Sequence, residues 1–259
     1  MEKEAVESKN SLHRSTERVI QIFQFLTETE NTGKNLTEIS NYLEAPKSSI
    51  LPILRTLVSY GYLHYNPIEM QYFLGYKIYE IGSKYIGDSN MDDVIFQLMY
   101  NFATANDVTL LLGELVAGDV LFLQRVDPIE KLRLYKAVAR RIPAYADSAG
   151  KILLAEKSAA DVMRLYPDGM SPLTAKTITD PSVLFDHLDT IRQTGVAMSN
   201  EESTLYVRSV AIPIKKHGST VYALEACFSI FDYSEEKERK ILFALYELKA
   251  KIESFLKMQ

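Results

Sequence analysis

Residues 35–75 read NLTEISNYLEAPKSSILPILRTLVSYGYLHYNPIEMQYFLG, and the order of elements within them decides the fold of the N-terminal part. Asn35 is a favourable N-cap, and Glu38 stands three residues on, where it completes a capping box. Leu36, Ile39 and Leu43 recur at helical spacing before Glu44-Ala45-Pro46 breaks the run. Proline is tolerated at a helix entry, because its missing N–H would lack a partner there anyway. Ile50, Ile53, Leu54 and Leu57 then form the buried face of a longer helix, which Gly61 ends. Tyr62–Tyr65 and Gln71–Leu74 read as two strands joined by a turn at Asn66-Pro67. A short helix, a tight turn, a longer helix and a hairpin make a winged helix-turn-helix, whose second helix enters the DNA major groove.

Lys47, Ser48 and Ser49 lie on the first turn of that helix, whose free N–H groups and positive dipole end suit a phosphate. Arg55 occupies the exposed face beyond. Lys47 or Arg55 alone reads best as a solvated surface charge; a complete motif around them favours DNA contact. Pro52, about a turn and a half in, removes a backbone bond at a cost of about 3 kcal/mol if unrelieved. A kink or an irregular helix start is expected there. Tyr65, Gln71 and Tyr72 fit DNA contact and sheet packing equally well.

Charge restricts this reading. The net value is −5, and residues 1–80 hold 8 basic against 10 acidic side chains, unlike the basic footprint of many DNA-binding modules. The positive patch reduces to Arg14, Arg18, Lys34, Lys47 and Arg55, and dimerisation would double it along a two-fold site. Sequence-specific, dimer-dependent binding with a weak non-specific background is expected.

The remaining sequence is ordinary for a folded domain, with 47% apolar and 24% charged residues over the 259 of the chain. No apolar run approaches a membrane span, and the polar start MEKEAVESKN is unlike a signal peptide, so a cytoplasmic location with no membrane partner is expected. Residues 1–10 read as a disordered tail, 11–75 as the winged helix-turn-helix domain, 76–90 as a linker helix and 91–259 as a second domain. The periodicity predicts a helix from Met91 to Asn106 and strands at Val108–Val116, Val120–Val126 and Leu132–Val138. Helices follow at Ser148–Glu156, Ala159–Leu165 and Ser182–Thr194, then strands at Val207–Ile214 and Val221–Ile230. A last helix runs from Ser234 to Leu256. The second domain is therefore α+β, a mostly antiparallel sheet with its first and last helices stacked on one face.

Catalytic chemistry finds no support. Gly33-Lys34 and Gly150-Lys151 lack the upstream glycine of a phosphate-binding loop. The four histidines are scattered without ligand spacing and read as surface residues, so no metal is expected. Cys227, the single cysteine, has no nearby histidine in sequence and reads as a structural or partly exposed thiol. Neither an enzyme nor a bound cofactor is expected.

With the motif and this downstream order in view, the chain resembles the IclR family of bacterial transcriptional regulators. The resemblance is carried by LTEISNYLEAPKSSILPILRTLVSYGYL, by PAYADSAGKILLA at 143–155, by IRQTGVAMSNEE at 191–202 and by VRSVAIPI at 207–214. It implies a C-terminal GAF-like domain that binds a small effector, and homodimers or tetramers that bind double-stranded operator DNA. Pro52 departs from the basic residue usual at its place, leaving more of the contact to Arg55. Family effector pockets use backbone donors at the helix opening with Asp147-Ser148-Ala149. The match brings Leu134 and Ile142 to the apolar wall, Ser148 and Ala149 to the anion-binding turn, and Ser199, Val207, Ser209, Ala226 and Phe228 to the remaining lining. Alternation along Tyr222, Leu224, Ala226, Phe228 and Ile230 points those residues inward and Glu225 outward. An organic acid with an apolar or aromatic body is the expected effector; the rival is a cavity filled by Phe228 that binds nothing tightly. The rival for the whole chain is a sensor or adaptor that uses its winged helix for protein contacts.

Overall fold

The computed structural model describes residues 13–28, 32–86, 89–128 and 141–257. Contacts divide the chain into two compact units, Met1–Asp88 and Ser89–Gln259. The expected tail, Leu134 and the strand expected at Leu132–Val138 lie outside the described residues.

In the first unit, α1 (Arg14–Thr27) precedes β1 (Lys34–Asn35), α2 (Leu36–Tyr42), α3 (Lys47–Ser59), β2 (Leu63–Asn66), β3 (Gln71–Leu74) and α4 (Tyr76–Ile86). The capping box forms as the sequence predicts. Asn35 Oδ1 accepts from the Thr37 and Glu38 N–H groups at 2.9 and 3.0 Å, and the Asn35 N–H donates to Glu38 Oε2 at 2.7 Å. Ile50 and Leu54 of α3 pack with Ile22, Leu26, Ile39 and Leu63 in one small core. Asn66 Oδ1 accepts from the Ile68 N–H at 3.0 Å and fixes the wing turn. Two details differ from expectation. The short β1 adds a third, antiparallel strand to the wing in the order β1-β3-β2. Helix α3 also runs unbroken through Pro52, with no irregular start. Pro52 sits on the exposed face, so its ring stays clear of the packed side of the helix.

The second unit opens with α5 (Ser89–Asn106), β4 (Thr109–Val116), β5 (Asp119–Val126) and β6 (Arg141–Pro143). Then come α6 (Ser148–Ala155), α7 (Ala159–Leu165), α8 (Pro181–Thr194), β7 (Ala197–Asn200), β8 (Val207–Lys216), β9 (Ser219–Ser229) and α9 (Glu235–Lys257). The six strands form one sheet in the order β6-β5-β4-β9-β8-β7, with antiparallel pairing throughout. Helices α5 and α9 cover one face, as expected, through Ile95, Met99, Ile241, Leu245 and Ile252. The other face carries its own core beneath α6 and α8, including Leu111, Phe122, Leu154, Leu188 and Ala211. The sequence does not predict strand β7, because four residues with one apolar pair carry little periodic signal.

Gly150 sets the depth of α6. A β-carbon placed there would lie 2.2 Å from the Ala144 carbonyl oxygen and 2.4 Å from the Ala144 α-carbon, which are backbone atoms with no rotamer to yield. Gly150→Ala is therefore expected to destabilise the second unit by about 1–3 kcal/mol through overpacking. Urea denaturation followed by far-UV circular dichroism measures this, and an unchanged midpoint would contradict the packing described.

Candidate functional site

Helix α3 presents one exposed stripe. Ser48, Pro52, Arg55, Thr56 and Ser59 are exposed, while Ile50 and Leu54 are buried opposite. That is the face a recognition helix offers to DNA. Because proline has no N–H, the Ser48 carbonyl on this stripe lacks the usual donor four residues on. The Lys47 ammonium donates to the Thr37 hydroxyl at 2.7 Å and ties the two helices of the motif together. The Ser49 hydroxyl turns back to the Pro46 carbonyl at 2.7 Å.

Arg55 borders a concavity of about 370 Å³ between α3 and the wing, shared with Leu51, Val58, Ser59, Tyr65 and Tyr72. Tyr72 is buried and its ring lies 4.8 Å from that of Tyr65. Burial pushes the Tyr72 phenol above its ordinary value, Tyr65 adds to this, and the nearby Arg55 charge opposes it. Of the three wing residues left open by the sequence, Tyr72 thus belongs to the core of the unit. The other expected basic contacts sit elsewhere: the Lys34 ammonium lies over the Phe25 ring at 5.1 Å, and Arg14 and Arg18 are on α1.

In the second unit, α6 carries polar side chains into the sheet. Asp147 caps it by accepting from the Ala149 N–H at 3.0 Å. The Ser148 hydroxyl lies 2.8 Å from the Ser209 hydroxyl and donates to Glu225 Oε1 at 2.7 Å. Lys151, fully buried, donates to both carboxylate oxygens of Glu202 at 2.8 and 3.0 Å. Next to Glu202, the loop at 201–206 is clasped from outside. The Thr174 hydroxyl donates to the Glu201 carbonyl at 2.7 Å and that of Thr177 to the Glu202 carbonyl at 2.6 Å. Lys176 pairs with the Glu201 carboxylate, and that pairing, followed by the Tyr206 amide, holds Glu201 below the usual carboxylate range. The tie is therefore complete at neutral pH and is lost only as pH falls through that lowered value.

The structure gathers most of the expected effector residues on this α6 face. Ile142, Ala149 and Val207 belong to its core, and Ser199 is paired with Ser209 across β7 and β8. Ala226 and Phe228 do not join them. Both lie on the opposite face of β9, in the core beneath α5 and α9, where the Phe228 ring stacks at 6.3 Å on Tyr233. Their neighbours Glu225 and Cys227 face α6 instead, both buried. The expected alternation was right in period and wrong in sense. Since both faces of β9 are buried, a run of apolar residues does not reveal which face meets α6. The cavity-filling role considered for Phe228 fails for the same reason. Cys227 is a buried structural thiol, and the four histidines are exposed as expected.

A concavity of about 380 Å³ at the β7 edge is bordered by Lys151 of α6 together with His187, Ile191, Val196, Met198 and Leu242, and includes none of the expected effector residues. Among the described residues no cluster of His, Cys, Asp or Glu is arranged to hold a metal, and no helix is long and apolar enough to cross a membrane.

Family models fit both units. The IclR helix-turn-helix domain matches residues 15–67, and the C-terminal domain of the bacterial transcriptional regulator IclR matches residues 83–254. The chain belongs to the IclR family. KdgR of Escherichia coli, an HTH-type transcriptional regulator, is 27% identical over 91% of this chain and 89% of its own length. An IclR transcriptional regulator from Alicyclobacillus acidocaldarius shares the fold at a TM-score of 0.82, with 21% identity over 95% of this chain and 99% of that one. An IclR homologue from Microbacterium hydrocarbonoxydans, solved with 4-hydroxybenzoate, superposes equally well at 0.82, with 22% identity over 95% of this chain and 100% of its own. Members of this IclR family are DNA-binding transcriptional regulators, not enzymes.

The buried Lys151–Glu202 pair gives a direct stability test. Lys151→Met alone is expected to cost about 3–5 kcal/mol, because it strands the Glu202 carboxylate. Combining it with Glu202→Leu should recover most of that loss. A double-mutant cycle in urea reads the coupling; losses that simply add would contradict the pairing.

Proposed function

We propose that the chain is an operator-binding regulator, acting as a homodimer, whose affinity for DNA is set by a small organic molecule held on the α6 face of the second unit. The exposed stripe of α3 carries the first half of this reading. It offers one guanidinium, two serine hydroxyls, a threonine and a proline ring, a surface suited to base edges and thymine methyl groups more than to many phosphates. Arg55 is the residue through which contact is made, with Ser48 and Ser49 at the helix entry; Lys47, Lys34, Arg14 and Arg18 supply the surrounding positive charge. With so few cations per protomer, two protomers on a two-fold site are required for useful affinity.

The ligand half is supported by the meeting of Ser148, Ala149, Ser199, Val207 and Ser209 on one face, with Ile142 and Tyr145 in the same apolar core. That lining suits a ligand with an apolar or aromatic body, and the 4-hydroxybenzoate held by the Microbacterium homologue is of that kind. The carboxylate head expected from the sequence meets a different environment here, because Glu225 faces the same turn.

Fluorescence anisotropy with a duplex from upstream of the adjacent operon and a scrambled control tests the first half. Tight binding to the former and weak binding to the latter is expected; equal affinity for both would contradict it. Arg55→Ala is expected to weaken the specific complex by about 1–3 kcal/mol and relax preference at one base position. An unchanged affinity would remove Arg55 from the interface.

A further inference from the structure

Resting on the operator-binding reading above, we infer that Pro52 and Thr56 read the C5-methyl group of a thymine in the major groove, selecting that base at one position of each half-site. Helix α3, KSSILPILRTLVS, holds two cations and no acid in a chain of net charge −5, so its exposed stripe suits a polyanion. Yet most of its side-chain donors are engaged within the unit. The Thr56 hydroxyl donates to the Pro52 carbonyl at 2.9 Å, and the Ser59 hydroxyl to the Thr56 carbonyl at 2.8 Å. The Ser49 hydroxyl is held by the Pro46 carbonyl, and the Lys47 ammonium spends one donor on Thr37.

What the middle of the stripe offers is therefore apolar. Pro52 is exposed there, four residues after Ser48 and four before Thr56, so the three share one face of the helix. It lies in the first half of α3, the part of a recognition helix that meets base edges. With its donor spent, Thr56 contributes a methyl group beside the proline ring. Among the four bases only thymine presents a methyl group in the major groove, and apolar side chains recognise it by contact. A polar base edge set against the same spot would lose water without gaining a hydrogen bond. Arg55, which borders the concavity between α3 and the wing, supplies the polar contact beside it, so a guanine close to the thymine is expected.

Selection of duplexes from a randomised pool by the full chain supplies the probe, and enrichment of a two-fold sequence is the expected result. Each thymine of that duplex is then replaced singly by uracil, which removes the methyl group and keeps every base-pairing hydrogen bond. Fluorescence anisotropy of the native chain should show binding about fourfold weaker at one thymine per half-site, the worth of one buried methyl group. Pro52→Ala, which restores a backbone donor on the exposed side of the helix, should bind the thymine and uracil duplexes alike at that position. Thr56→Ser, which removes only the Thr56 methyl group, should shrink the same penalty. A scan flat across all thymines, or a uracil penalty that Pro52→Ala retains, would overturn the inference while leaving operator binding intact. Enrichment of no sequence would overturn the operator-binding reading and this inference with it. Should Pro52→Ala fail to fold, the same comparison made with Thr56→Ser decides.

Discussion

The second unit depends on how deeply α6 enters the sheet. The absent side chain of Gly150 lets the helix press against the backbone at Ala144, and that approach carries Asp147, Ser148 and Lys151 out of water together. Buried polar groups are costly unless each is paired, so the sheet and the adjoining loop must answer them. Ser209 and Glu225 answer Ser148, and Glu202 answers Lys151. The result is a polar seam of two sets, Ser148 with Ser209 and Glu225 and Lys151 with Glu202, crossing an otherwise apolar core. It links the helix to the centre of the sheet and to the clasped loop at 201–206. A network in which members share partners responds as a whole when one is disturbed. This makes the seam a suitable place for a small molecule to act.

The first unit follows a different economy. Its core is small and its packing is local, with a cap, a turn and a few apolar contacts for each element. Such features are short-range, so the sequence declares them almost completely. Asn35 and Glu38 name the capping box, and the apolar spacing of α3 names its buried face. The irregular helix start expected at Pro52 does not occur. The helix continues through it because, on the exposed side, the Ser48 carbonyl left without its donor can be met by water.

In the second unit the elements were legible and their orientation was not. Strand periods, the covering pair α5 and α9, and the antiparallel order all followed from pattern. The sense of β9 could not, because it is covered on both faces and its two sets of alternating residues are both buried. Tyr222, Leu224, Ala226 and Phe228 make the more apolar set, and in the sequence alone apolarity reads as the mark of the ligand face. It marks instead the face packed under two helices. One signal did point the other way: a lone acid at 225 inside an apolar strand is expensive unless something polar awaits it. Ser148 is 77 residues away in sequence, a separation over which no periodicity speaks.

The proposed function requires that small molecules act on the α6 face and not on the face beneath α5 and α9. The chain has no tryptophan, so a single introduced indole reports its own surroundings. Tyr145→Trp places one in the core beneath α6, and Phe228→Trp places one in the opposite core. Each variant is titrated with the compound that shifts operator affinity, and the emission is followed. A saturable shift at position 145 with little change at 228 is the predicted result; the reverse pattern would contradict the account.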